Sequence, residues 1–286
     1  MKMAVIGCGL IGGSMALSWK RAGIVDEVIA FGHNPATLQK ALDKGAADTV
    51  TTSMEEAVKD ADIVVSAVPV EAMESVFTEM APFLKSDAVV TDVGSTRQTV
   101  IAAARKGLGD KFHQYAPAHP IAGGEMPGVD YASADLFDEK VVISTPDEGM
   151  DPKVVTFIEE AWRKAGARVQ AMSPLQHDLT FASVSHLPHV LAYALVDMIA
   201  REENAQEKLK MAGAGFRDFT RIASSSPVMW RDICLSNREA LSHELERYRA
   251  SLDTLQKYID ESDGKALESV FENAVRNRRS LVFPGK

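Results

Sequence analysis

The chain opens on Gly7-Cys8-Gly9-Leu10-Ile11-Gly12, set between an apolar run, Lys2–Ile6, and a segment of helical periodicity from Ile11 to Ala22. A GxGxxG element between a strand and a helix constrains the fold more than anything else in the sequence. Gly7 permits the tight turn, Gly9 lets the backbone approach a pyrophosphate, and Gly12 allows the helix to pack closely on the strand. The helix that follows offers its N-terminal amides to phosphate oxygens. The element therefore implies an α/β fold with a Rossmann-type parallel sheet, and a dinucleotide resting on Gly7, Gly9, Leu10, Ile11 and Gly12.

The segments that follow keep the alternation such a sheet needs. Glu27–Phe31 reads as a strand and Pro35–Lys44 as a helix, with Pro35 in its first turn. Ala61–Ala67 and Ala88–Asp92 are near-continuous apolar runs, the pattern of strands buried on both faces. Lys140–Ser144, a helix over Pro152–Ala165 and a last strand near Arg168–Ala171 complete this part. From Ser173-Pro174, an N-cap followed by a first-turn proline, the apolar spacing becomes helical and stays so to about Val275. The expected division is residues 1–173 as a dinucleotide-binding domain and 174–286 as an all-helical domain for substrate binding and dimerisation.

The net charge of −9 excludes the basic face of a nucleic-acid binder, although a few arginines inside a pocket can still hold a small anion. Cys8 and Cys234 lie far apart and suit a reducing compartment better than a disulfide framework. No run reads as long or apolar enough to span a bilayer, and the apolar start at Met3–Leu17 is preceded by a single lysine, Lys2. The expectation is a cytoplasmic protein with no membrane and no nucleic-acid partner. The basic stretch from Arg276 to Arg279 reads as a solvated end.

In a doubly wound sheet the ligand lies beyond the carboxyl ends of the strands. The second strand ends in Gly32-His33-Asn34, with no carboxylate to hold a free ribose 2′-hydroxyl and no arginine for a 2′-phosphate. His33 and Asn34 can donate hydrogen bonds there, so the expected cofactor is NAD or NADP, with NADP accepted at least as well. Ala67, Val68 and Pro69 end another strand and border the cofactor's ribose and nicotinamide. Gly94 and Ser95 end a third, where a ring must approach closely, and Ala118–Glu125 follows a fourth. His119 is either a proton acceptor for an alcohol or a turn histidine before Pro120; position alone supports both.

In the helical part His186 and His189 are three apart, on one helix face unless Pro188 interrupts it. Their spacing, even with His177, matches no standard zinc pattern, so no metal is expected; ligand contact, or a structural hydrogen bond for His186, is the reading. Arg217 and Arg221 are four apart, suited to a carboxylate, with Asp218 placed to satisfy Arg217.

Taken together, Gly7–Gly12, Asp92-Val93-Gly94-Ser95, His119-Pro120-Ile121-Ala122-Gly123, Ser185-His186-Leu187-Pro188-His189, Asp218-Phe219-Thr220-Arg221 and Met229-Trp230-Arg231-Asp232 resemble the prephenate/arogenate (cyclohexadienyl) dehydrogenases over nearly the whole chain. The first motif is generic; the last three, in that order, are specific. The resemblance implies NAD(P)-dependent oxidative decarboxylation of prephenate or arogenate in tyrosine biosynthesis, by a homodimer joined through its helical domains. It implies that His119 assists deprotonation of the ring hydroxyl while Ser95 orients it, and that Arg221 binds the side-chain carboxylate. His189 would lie near the ring carboxylate, His177 and His186 would line or support the pocket, and Trp230 would form its wall.

Glu125 can pair with the ammonium of arogenate or with Arg221, which inclines the expectation towards a relaxed or arogenate-preferring enzyme. Two other readings compete. A β-hydroxyacid dehydrogenase would need a catalytic lysine, and Lys208 and Lys210 sit in a charged segment that reads as solvated. A non-catalytic NAD(P)-binding protein would not need His119, Ser95 and Arg221 together.

Overall fold

The computed structural model describes residues 1–124 and 126–281. Its first part is one eight-stranded sheet: β1 (Lys2–Ile6), β2 (Glu27–Phe31), β3 (Thr49–Thr51), β4 (Ile63–Ser66), β5 (Val89–Asp92), β6 (Tyr115–Pro120), β7 (Val141–Ser144) and β8 (Arg168–Ala171), in the order 3-2-1-4-5-6-7-8. The first six strands are parallel. β7 pairs antiparallel with β6, and β8 follows β7 in parallel. The reversal has a local cause: the link from β6 to β7 carries only a short 3-10 turn, Val129–Tyr131, and no crossover helix to bring the chain round for a parallel return.

Helices α1 (Leu10–Arg21), α2 (Pro35–Asp43), α3 (Met54–Val58), α4 (Met73–Met80), α5 (Gln98–Leu108) and α6 (Pro152–Lys164) cover the two faces. Successive strand residues feed opposite layers, as the pleat requires. Met3 and Val5 enter a core with Met15, Trp19, Phe137 and Trp162, while Ala4 and Ile6 enter one with Met73, Phe77 and Tyr115. In the first layer Trp162 packs edge-on against Trp19 at 5.6 Å and Phe137 at 5.0 Å, the favoured arrangement for aromatic quadrupoles.

β6 is the strand that the sequence pattern hides. Pro117 and Pro120 lack amide donors, which argues against a central strand, yet β6 sits between β5 and β7. His119 consequently lies inside a strand and not in a loop beyond one. The short strand β3 and helices α3 to α5 are likewise absent from the sequence reading, although Met73, Phe77 and Met80 of α4 recur at helical spacing.

The remainder is helical: α7 (Pro174–Phe181), α8 (Leu187–Ala200), α9 (Ala205–Lys210), α10 (Ala214–Thr220), α11 (Pro227–Ser236), α12 (Arg238–Asp260) and α13 (Gly264–Ser280). α7 runs into α8 through one widened π turn, Ala182–His186, closed by the Leu187 N–H on the Ala182 carbonyl. Pro188, which has no N–H for the Val184 carbonyl and would clash with it, accounts for the wider turn. The continuous stretch Pro174–Ala200 is, by length and composition, apolar enough to cross a membrane, which corrects the expectation that no run is. The same stretch carries His177, Asp178, His186 and His189, and the first three are buried among polar partners.

The glycine loop is as tight as its sequence demands. Gly7 has φ +92°, and a Cβ there would meet the Ala67 carbonyl oxygen at 2.7 Å. A Cβ at Gly12 would stand 2.5 Å from the Gly7 carbonyl oxygen and 3.0 Å from the side chains of Ala67 and Val5. Backbone cannot yield cheaply, so Gly12→Ala is expected to cost about 1–3 kcal/mol. It should lower the melting temperature and weaken dinucleotide binding about tenfold in a fluorescence titration; a variant binding as tightly as the parent would contradict this account of the loop.

Candidate active site

β1 and β4 are neighbours in the sheet whose following segments turn to opposite sides, the switch point where such folds bind ligands. The two loops, Gly7–Gly9 and Ala67–Pro69, form one end of a cavity of about 450 Å³. α1 begins there with Gly9 as N-cap and no side chain capping it. Its first amides thus lack partners from the protein, and a Cβ at Gly9 would meet nothing within 4 Å. Open space before uncapped amides fits a dinucleotide pyrophosphate.

The cavity continues past Val93, Gly94 and Ser95 at the end of β5, and past His119 and Pro120 of β6. Ala122, Gly123, Gly124, Pro127 and Gly128 of the β6–β7 link border it, while Ser185, His186, Ser225, Met229, Trp230 and Asp232 close it from the helical side. Of the residues singled out from sequence, Gly9, Leu10, Ile11, Ala67, Val68, Pro69, Gly94, Ser95, His119, His186 and Trp230 therefore meet in one place. Gly7 and Gly12 shape the loop beneath it.

Others lie elsewhere. Gly32, His33 and Asn34 sit at the end of β2 and do not line this cavity, although the Gly7 N–H donates to the neighbouring Phe31 carbonyl at 3.2 Å. Asn34 is the N-cap of α2, its Oδ1 accepting from the Ala36 N–H at 2.9 Å, and that oxygen is committed to the helix. His177, expected to line or support the pocket, is fully buried behind His119 and does not line the cavity. His189 stacks face to face on Trp230 at 3.6 Å; burial lowers its basicity, the bond to the Ser185 carbonyl opposes this, and the charge of Arg221, exposed at the end of α10, adds to the lowering. Arg217 and Asp218 are both exposed and form no ion pair with each other, contrary to expectation. Glu125 lies outside the described residues.

Polar contacts constrain the states of His119, His177, His186 and His189. His119 Nδ1 and His177 Nε2 are 2.8 Å apart, and His177 Nδ1 is 2.9 Å from Asp178 Oδ1. Asp178 Oδ1 also accepts the Arg97 N–H at 2.7 Å, and Oδ2 the Gln98 N–H at 2.9 Å. Burial alone would raise the Asp178 pKa; hydrogen bonds from His177, Gln98 and Arg97 outweigh it and hold the carboxyl below its ordinary value. Burial pushes His119 well below the usual histidine range, with His177, Arg97 and His186 acting in the same direction. Asn237 Nδ2 donates to the Asp178 carbonyl at 2.8 Å and lies 3.2 Å from His186 Nδ1. His186 Nδ1 is then the acceptor, so Nε2 carries its proton; burial holds this imidazole neutral, with a pKa lowered to about 4. His189 Nδ1 donates to the Ser185 carbonyl at 2.9 Å.

Beneath these groups runs a buried network that the sequence did not reveal. The Arg97 guanidinium, wholly inaccessible, donates to Asp92 Oδ1 at 2.8 Å, the Ala118 carbonyl at 3.0 Å and the Gly94 carbonyl at 3.1 Å. Asp92 Oδ1 also accepts the Gly94 N–H at 2.7 Å, and Tyr115 donates its hydroxyl to Oδ2. One cation thus fixes the ends of β5 and β6, which present Ser95 and His119. The only trace of this in the sequence is an arginine and an aspartate five residues apart around a strand end. The β-hydroxyacid reading finds no support here: Lys208 and Lys210 lie in α9, outside the cavity, and Lys208 is paired with Glu202.

Because the Arg97 charge has no exit to water, removing its partner should be costly. Asp92→Asn is expected to lose about 3–5 kcal/mol of stability, read as a shifted midpoint in urea denaturation. A loss below about 1 kcal/mol, the level of an exposed pair, would show that the network is not the support described.

Comparison with known proteins agrees with the geometry. Residues 15–171 match the family model described as "Prephenate dehydrogenase, nucleotide-binding domain", and residues 173–273 match "Prephenate dehydrogenase, dimerization domain". A cyclohexadienyl dehydrogenase of Zymomonas mobilis is 36% identical, the alignment covering 98% of this chain and 95% of that one. A prephenate dehydrogenase of Bacillus subtilis is 34% identical over 98% of this chain and 76% of its own length. The crystal structure of a prephenate dehydrogenase from Aquifex aeolicus, in complex with hydroxyphenyl propionate and NAD+, superposes with a TM-score of 0.90 at 35% identity, covering 98% of each chain. With both halves matched and the cavity formed where they meet, the chain belongs to the prephenate dehydrogenase family of oxidoreductases.

Proposed function

We propose that this cavity carries out the NAD(P)-dependent oxidative decarboxylation of prephenate or arogenate, with His119 as the proton acceptor. The observation that carries the reading is the position of His119, buried in the cavity wall with Nδ1 engaged by His177 and Nε2 left for a ligand. The bound dinucleotide supplies the acceptor for the hydride that leaves the ring carbinol. His119 takes the hydroxyl proton as the carbinol becomes a carbonyl, and Ser95 orients that hydroxyl. The ring carboxylate then leaves as carbon dioxide, its bonding electrons completing an aromatic ring. His119 returns the proton to the phenolate oxygen, so no net proton leaves the site. His186 offers a neutral N–H donor, Trp230 forms the wall with His189 stacked on it near the ring carboxylate, and Arg221 holds the side-chain carboxylate.

The division of labour follows: residues 1–173 hold the cofactor, and 174–286 hold substrate and a second copy of the chain. The match to a dimerization domain and the exposed apolar residues Leu175, Leu179, Val184 and Met198 on the 174–200 stretch support a homodimer. At the β2 end no carboxylate follows Phe31, so a 2′-phosphate meets no repulsion, and His33 is exposed beside it. We take NADP to be accepted at least as well as NAD.

Absorbance at 340 nm with prephenate and arogenate, each with NAD and NADP, tests the whole reading. Reduced cofactor is expected with at least one substrate, and a kcat/KM strongly favouring NAD would remove the NADP proposal. His119→Asn should lower kcat by about 100-fold or more while cofactor affinity holds, whereas Arg221→Ala should act chiefly on KM. The acceptor must be unprotonated, and burial lowers its pKa, so activity is retained through neutral pH. It should fall only as the pH drops below about 6.5, the ordinary histidine value. An acid limb centred above that value would assign the base elsewhere.

A further inference from the structure

The side chains behind His119 do more than fill space. We propose that His177 and Asp178 form a positioning dyad that fixes the tautomer of His119 and neutralises the imidazolium formed when it takes a proton. The inference rests on the reading of His119 as the proton acceptor.

The direction of each hydrogen bond follows from the one before it. Both oxygens of Asp178 accept backbone N–H groups, from Arg97 and Gln98, so the carboxyl is ionised and can only accept from His177. His177 Nδ1 is then the protonated nitrogen. The ring is neutral, since burial lowers its pKa despite the opposing hydrogen bond to Asp178, and Nε2 has only a lone pair to offer. That lone pair faces His119 Nδ1 at 2.8 Å, and the contact is attractive only if His119 Nδ1 bears the proton. His119 Nε2 is thereby left with a lone pair, the form that accepts a hydroxyl proton. The opposite arrangement would set a lone pair of His177 Nδ1 against a carboxylate oxygen at 2.9 Å.

Charge gives a second, independent argument. The groups facing His119 and the dyad are Arg97 at the start of α5, Asp92 of β5, Tyr115 of β6 and His186 before α8. Tyr115 is a neutral phenol, since burial and then Asp92 raise its pKa well above the usual value, and His186 is neutral at physiological pH. One guanidinium is therefore set against two carboxylates, Asp92 and Asp178, and Arg97 pairs directly with Asp92. The negative charge left over is that of Asp178, stabilised at rest by two amides of the α5 N-terminus. Protonation of His119 brings the cluster to zero. Burial, His177, Arg97 and His186 keep His119 neutral at rest, and Asp178, behind His177, is the countercharge for the imidazolium formed during turnover.

Asp178 also caps α5 from the helical side, so a structural role has to be separated from the proposed one. The first measurement needs no turnover: long-range 1H–15N correlation spectra of ring-15N-histidine enzyme saturated with its dinucleotide, assigned with the His119→Asn and His177→Gln variants. Both His119 and His177 should be Nδ1–H tautomers, the less common form, and His186 the Nε2–H form. An Nε2–H proton on neutral His119 would overturn the proposal whatever the substrate.

Kinetics form the second arm. His177→Gln leaves the Asp178 cap intact and should lower kcat by about tenfold or more, with KM for substrate and cofactor within about twofold. In the His119→Asn background the same change should add nothing, because the dyad acts through His119. Losses that multiply in the double variant would overturn the dyad and leave His177 a packing residue. Should His177→Gln melt early, Asp178→Asn provides the alternative: removing the negative charge should move the acid limb of kcat/KM to lower pH, and an unmoved or raised limb would count against the proposal. A parent enzyme inert with prephenate and arogenate would refute the reaction instead, while the tautomer spectra would still decide the dyad.

Discussion

The buried Arg97 guanidinium organises this molecule. It is held by Asp92 and by the carbonyls of Gly94 and Ala118, which ties the ends of two neighbouring strands into one rigid unit. An unpartnered cation in that position would be prohibitively unfavourable, so the geometry tolerates little variation. His119 and Ser95 project from the strand ends it fixes, and the amides of Arg97 and Gln98 receive Asp178 from the helical part. Thus one constraint sets the sheet edge and the seating of the helices on it.

The catalytic surface is correspondingly composite. The sheet supplies the glycine loop, the small residues that let a ring approach, and His119; the helices supply His186, Trp230 and the groups around them. Hydrogen bonds, and not proximity alone, give each histidine a separate character. His119 presents a lone pair because of His177, whereas His186 presents a proton because of Asn237. Burial keeps both neutral, so in the proposed reaction one acts as base and the other as donor at the same pH.

Motifs whose chemistry is local were legible in the chain. Gly7, Gly9 and Gly12 announce their purpose because turn, approach and packing all occur within six residues, and the measured clearances agree. The apolar periods placed most strands and the change to helices after Ser173, but β6 was hidden by its prolines, and the continuity of α7 with α8 was left open at Pro188. The resemblance to cyclohexadienyl dehydrogenases rested on short motifs spread across the chain, and matches across both halves bear it out.

By itself, then, the sequence determined the fold class, the presence of a dinucleotide loop and the family, because each can be read from residue spacing within motifs and from the order of motifs along the chain. It could not assign His177 to a place behind His119, nor show that Asp178 caps a helix begun at Gln98. Those relations join residues 58 and about eighty positions apart, and only the packed structure brings them within hydrogen-bonding distance. The protonation state of His119 belongs to the same category: it is set by burial and by partners contributed from three different elements, none of which is visible from its neighbours in the chain.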